Sequence, residues 1–85
     1  MTKMYELIPQ YDARRSFYGK ARIEETKKYL KLYSYQTLVA MINKEENTVK
    51  VFGTYSPTTL RHIKEFLKQN NFIAINKKQI EDTYI

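Results

Sequence analysis

Cysteine is absent from all 85 positions. That excludes a disulfide framework and a zinc–thiolate centre. A chain of this size must then rely on packing alone, which suits a reducing compartment. Glycine is scarce too, with only Gly19 and Gly53, so no glycine-rich loop exists to cradle a phosphate. The single histidine, His62, forms no specific Ser–His–Asp or Cys–His constellation with its neighbours in sequence. No apolar stretch approaches the ~18–20 residues of a membrane span. Met1 to Arg15 shows no apolar signal-peptide core. These absences lead us to expect a non-enzymatic cytoplasmic protein without cofactor, metal or membrane partner.

What is present describes one small domain. A chain this short buries only about 60–65% of the surface its unfolded form exposes, so its core is thin. The apolar fraction of 42% is ordinary for a globular protein and argues against disorder. Fifteen Lys and Arg against nine Asp and Glu give a net charge of +6. The surplus is either a solubilising surface or the footprint of a polyanionic partner.

Residues 1–15, with Pro9 and the run Gln10 to Arg15, show no period and are expected as an extended N-terminal arm. A single α+β domain is expected over 16–85. From Ser16 the pattern alternates, with Phe17, Gly19, Ala21 and Ile23 on one face and Tyr18, Lys20, Arg22 and Glu24 on the other. Tyr29 to Tyr35 alternates again, with Leu30, Leu32 and Ser34 inward. Leu38, Ala40 and Ile42 mark a third strand. Thr48 to Tyr55 marks a fourth, with Val49 and Val51 inward and Lys50 and Phe52 outward. The short connections predict an antiparallel four-stranded meander.

Ser56-Pro57 predicts a helix start, with serine as N-cap and proline in the first turn. Leu60, Ile63, Phe66 and Leu67 make its apolar stripe. Asn70-Asn71 can supply a left-handed residue that stops the helix, with Phe72 folding back on the last turn. Phe72 to Ile75 reads as a short strand. Asn76 and Gln79 resemble a capping box for a short helix over 77–84.

His62 is expected at the boundary of the helix, with one ring edge in water. Glu24-Glu25 and Glu45-Glu46 are expected in loops and solvated. One helix shields one face of the sheet. The other should carry Tyr18, Lys20, Arg22, Tyr29, Lys31, Tyr33, Tyr35, Lys50 and Phe52. Rings can stack on bases while Lys and Arg neutralise phosphates. The same mixture suits a protein interface or a homodimer, and it also arises from strand propensity and cross-strand pairing alone. A second basic row, Arg61, Lys64 and Lys68, flanks the helix stripe. It could follow a phosphate backbone or be a solvated face.

Ser16 to Ala21, the segment Leu32 to Ala40, and above all Tyr55 to Asn70 resemble a family of small proteins of unknown function. That family occurs in phages, plasmids and integrated elements of low-GC Gram-positive bacteria. The resemblance covers about residues 15–84. Family members often carry glycine where Asn71 stands, which fits the helix stop. It implies a bacterial cytoplasm and a mobile-element setting, and it transfers no site residue. In that setting the leading expectation is a nucleic-acid-binding accessory protein. The alternative is an inhibitor of a host protein, such as an anti-defence factor, or a homodimer through the same face.

Overall fold

The computed structural model describes residues 2–85; Met1, at the start of the expected arm, lies outside them. Five strands come first: β1 (Lys3–Glu6), β2 (Ala21–Glu25), β3 (Tyr29–Ser34), β4 (Thr37–Asn43) and β5 (Thr48–Val51). Two helices follow, α1 (Pro57–Gln69) and α2 (Lys77–Tyr84). The strands form one antiparallel sheet in chain order. The α+β class is as expected, but the sheet has five strands rather than four. The additional strand lies inside the expected arm, where Tyr5 pairs with Ile23 and Glu6 with Arg22. Residues 3–6 alternate too briefly to reveal a strand, and their partner lies some eighteen positions away.

The second strand begins at Ala21 rather than Ser16. Tyr18 and Gly19 have φ of 55° and 73°, which extended backbone does not tolerate. The Lys20 amide closes the turn on the Phe17 carbonyl at 3.0 Å. Phe17 is still buried, as its phase predicted, whereas Gly19 is exposed. The strand continues through Glu24 and Glu25, so that pair is not in a loop. A bulge breaks the phase of β4. Leu32 pairs with Ala40 but Tyr33 pairs with Leu38, leaving Val39 as the extra residue. Val39 and Ala40 are both buried, and Leu38 moves to the opposite side.

Both helices cover the same face of the sheet. Leu32, Ala40 and Val51 meet Ile63, Phe66 and Leu67 of α1 and Ile80 of α2 in one cluster. The α1 stripe is rotated slightly from the expected one. Thr59, His62 and Glu65 are buried, while Leu60 is only partly so. Arg61 remains exposed and Lys64 partly exposed.

The helix ends follow the expected chemistry. The Ser56 hydroxyl accepts from the Thr59 amide at 3.2 Å. At the other end Asn71 has φ 67°. The Phe72 amide donates to the Leu67 carbonyl and the Asn71 amide to that of Lys68, the pairing of a Schellman stop. Asn76 caps α2 by accepting from the Gln79 amide at 2.8 Å. Residues 72–75 do not form the expected strand. Side chains of the following helix take their polar groups instead: Gln79 accepts from the Ile75 amide and Tyr84 donates to the Ile73 carbonyl.

Two substitutions test this arrangement by chemical denaturation. Ser56→Ala should cost about 1 kcal/mol by orphaning the first-turn amides. Leu67→Ala should cost about 2–5 kcal/mol by opening a cavity between α1 and the sheet.

Candidate functional site

The open face of the sheet gathers some of the residues expected there. Register aligns Glu6, Arg22, Tyr33 and Leu38 in one row, and Met4, Glu24, Lys31, Met41 and Lys50 in the next. Tyr29 falls in phase with Lys31 and Tyr33. Phe52 lies just beyond β5, with the Lys50 ammonium 5.8 Å from its ring centroid. Carboxylates interrupt the basic character. Glu24 stands 3.8 Å from the Lys31 ammonium and accepts from the Tyr33 hydroxyl at 3.3 Å. Burial, and then the Glu24 charge, raise the Tyr33 phenol above its ordinary range.

Tyr18, Lys20 and Tyr35 are not on that face. Tyr18 and Lys20 belong to the turn before β2, and Tyr35 to the β3–β4 hairpin. The Tyr35 ring lies 6.0 Å from the His62 imidazole, on the helix side of the sheet. The strand alternation that predicted otherwise fails because both tyrosines have positive φ, 55° and 61°. Tyr35 and Gln36 form the two-residue loop between the paired Ser34 and Thr37. Positive φ at the first loop residue alone is the type II′ pattern, a place that favours glycine.

These turns create a concavity at the end of the sheet. Gly19, Lys20, Arg22, Tyr35, Gln36 and Thr37 line about 510 Å³. Two cations and a tyrosine 48% exposed therefore converge there, and none of the described carboxylates lines the wall. The Lys20 ammonium lies 5.9 Å from the Tyr35 ring centroid. The Arg22 guanidinium reaches the Tyr35 carbonyl at 3.4 Å.

The second basic row borders another concavity. Arg61, Lys64 and Lys68 line about 310 Å³ together with Tyr11, Asp12, Ala13 and Glu65. Glu65 lies beside this row on the helix and is only 2% exposed. Its carboxylate accepts from the amides of Gln10, Tyr11 and Asp12 at 2.9, 3.0 and 2.9 Å, and from the Gln69 side chain at 2.6 Å. Three successive amides aimed at one carboxylate form an anion nest. This contact fastens the loop to α1. Asp12 then stands 3.7 Å from the Arg61 guanidinium.

His62 is not a boundary residue. It is 1% exposed, and its ring centroid lies 4.5 Å from that of Phe17. Its Nδ1 is 2.8 Å from the Ser34 hydroxyl, which is 3.0 Å from the Thr59 hydroxyl. The Ser56 hydroxyl donates to Thr59 at 3.3 Å. Carrying that direction along the chain has Ser34 donating to Nδ1, which puts the imidazole proton on Nε2. Ser34 is itself buried under α1, so the pair supports packing and does not present a nucleophile in this conformation.

Burial holds the His62 imidazole below its ordinary range; nearby Asp12 opposes this and Arg14 adds to it. Falling pH therefore protonates the unfolded chain before the folded one. The His62 contribution to stability is fully present above about pH 6.5 and is lost as pH falls through the depressed folded value. Denaturation between pH 7.5 and 5 should show a flatter profile for His62→Asn than for the wild type. Glu65→Gln should cost about 1–3 kcal/mol by setting an NH2 group or a weaker acceptor against three amides. Hydrogen exchange should quicken at Gln10, Tyr11 and Asp12 in that variant.

Sequence spacing missed Tyr11, Gln36, Thr37 and Glu65 as parts of these concavities. A usable signal for Glu65 was the polar row His62, Glu65 and Gln69 beside the apolar stripe, at the i, i+3, i+7 spacing of one helix face. Nothing comparable marks Tyr11 in the sequence. No curated protein and no solved structure matches the chain. A family model matches residues 5–82, nearly the whole chain, and on that match the protein belongs to DUF8033, a family of unknown function.

Proposed function

We propose that this protein is a small non-enzymatic nucleic-acid-binding accessory factor whose primary contact is the concavity at the end of the sheet. The observation that carries this reading is the convergence of Lys20, Arg22 and the half-exposed Tyr35 on one wall that none of the described carboxylates lines. Cations can neutralise phosphates there, and the phenol ring can stack on a base. Gln36 and Thr37 supply neutral hydrogen-bonding groups at the same rim. The bacterial cytoplasm and the phage or plasmid setting are what the family resemblance implies.

Backbone conformation adds support. Tyrosine occupies a turn position that favours glycine, and a bulky residue at positive φ costs on the order of 1–3 kcal/mol. A ring needed for binding is a physical reason to carry that cost.

A second reading rests on a different surface. Tyr33, Leu38 and Met41 are partly exposed on the open sheet face, and Phe52 is exposed beside them. Tyrosine, methionine, phenylalanine and arginine are enriched where proteins meet. This favours a host protein or a second copy of the chain as partner. Recovery of a stoichiometric protein partner from host lysate after nuclease treatment would favour that surface; nuclease-sensitive recovery favours the first.

Fluorescence anisotropy with labelled DNA and RNA oligonucleotides tests the primary reading. Affinity should fall steeply with salt. Lys20→Ala and Arg22→Ala should each lower the slope of log K against log salt by about 0.7 for a single strand. Tyr35→Gly should weaken binding by about 1–3 kcal/mol at nearly unchanged slope, with folding stability within about 1 kcal/mol of the wild type. Absence of binding to every oligonucleotide at low salt overturns the reading.

A further inference from the structure

We propose that the two concavities are one track for a single nucleic-acid strand, which runs from the end of the sheet past His62 and along α1. This rests on the nucleic-acid reading above and specifies the form of its ligand.

Continuity comes from contacts that meet at His62. On one side the Tyr35 ring stands 6.0 Å from the imidazole, with the Lys20 ammonium 5.9 Å from the same tyrosine ring. On the other side Arg61, the residue before His62 on α1, faces the loop. Asp12 is 3.7 Å from Arg61, the first cation of the α1 row. Thus the loop over 11–18 passes from one concavity to the other, with its own Phe17 packed on the buried His62 between them. Lys64 and Lys68 continue the row along α1, seven residues beyond Arg61 at its end, or about 10 Å of helix axis. Summed through Tyr35 and His62, the distance from Lys20 to Lys68 is of the order of 20 Å.

Charge along the path favours a polyanion. The two carboxylates that line it are already engaged; a third, Glu6, reaches to 3.7 Å from where a Cβ would sit on Gly19 at the sheet end. Four donors surround Glu65 inside the fold, and Asp12 accepts from the Arg14 amide and faces Arg61. Lys64 and Lys68 have no ion-pair partner among the described residues.

Tyrosines accompany the cations. Tyr11 is 60% exposed at the α1 concavity, Tyr18 is 79% exposed in the connecting loop, and Tyr35 stands at the far end. Rings placed among cations select unstacked bases. Duplex bases are already stacked on one another, whereas a single strand can offer a base to each ring. The path length corresponds to about four to six nucleotides, at the small end of single-strand site sizes.

An oligothymidylate length series from two to twelve nucleotides, with a twelve-base-pair duplex for comparison, tests the track on the full chain. Wild-type affinity should climb by about tenfold or more between two and six nucleotides and then level. The duplex should bind more weakly than the single strand of equal length. The double variant Lys64→Ala/Lys68→Ala should bind the dinucleotide as the wild type does, which also reports that it is folded. It should lose most of the gain at six. Tyr11→Ala should lose part of that gain as well. If affinity is already level at two nucleotides, if the duplex binds as tightly, or if the double variant weakens all lengths equally, the track is wrong while the sheet-end site stands. If no length binds at low salt, the nucleic-acid reading itself fails.

Discussion

The Glu65 carboxylate is the contact on which the rest of the binding surface depends. It is nearly inaccessible to water and its charge is met by three consecutive loop amides and the Gln69 amide. A buried carboxylate without such donors costs several kcal/mol, so the loop and the helix stabilise one another or neither is satisfied. Gln69 also donates to the Ile8 carbonyl, which ties the chain just after β1 to the same helix. The loop over 10–15 has no regular hydrogen-bonded structure of its own. Its position, and with it the wall formed by Tyr11, Asp12 and Ala13, is set by a side chain more than fifty residues away.

Helix rotation is controlled by a second polar element. Ser56, Thr59, Ser34 and His62 form one hydrogen-bonded chain from the N-cap of α1 to the inner face of β3. Such a chain has one satisfied arrangement, whereas leucine and isoleucine can slide against a sheet at little cost. Turning α1 toward the sheet on this side buries His62 and leaves Leu60 at the flank. The same rotation points Arg61 and Lys68 to solvent. Core specificity and the orientation of the basic row are therefore two results of one set of hydroxyl contacts.

Features governed by neighbours in sequence were legible. The caps at Ser56 and Asn76, the proline in the first turn and the left-handed stop at Asn71 each depend on a few adjacent residues, and each is where the residue types place it. Pairings between distant segments were not. β1 has too few residues to declare a period, and Glu65 looks like any surface glutamate until the loop arrives. Turn chemistry was the other gap. Tyr18 and Tyr35 fit a strand pattern by type, and tyrosine gives no warning of positive φ. The bulge at Val39 likewise leaves a fully apolar run unchanged in composition while reversing the side on which Leu38 lies. Of the candidate site, residue types were therefore readable, but their distribution between the open face and the end of the sheet was not.

That distribution decides which surface is better suited to a polyanion. On the open face three cations, Arg22, Lys31 and Lys50, share their rows with Glu6 and Glu24. A phosphate arriving there must compete with Glu24, which already stands 3.8 Å from the Lys31 ammonium, and it must cross half-buried methionine and leucine. Such a face is held together by its own cross-strand pairs. At the end of the sheet the backbone leaves the ladder, and the acidic residues of β1 and β2 do not line the wall that Lys20, Arg22 and Tyr35 form. Arg22 belongs to both surfaces: Glu6 is its strand partner, while its guanidinium extends to the Tyr35 carbonyl in the hairpin. The turn at Tyr35 thus draws the Arg22 guanidinium to the wall it shares with Lys20. A strained hairpin residue and the convergence of these two cations have the same structural origin.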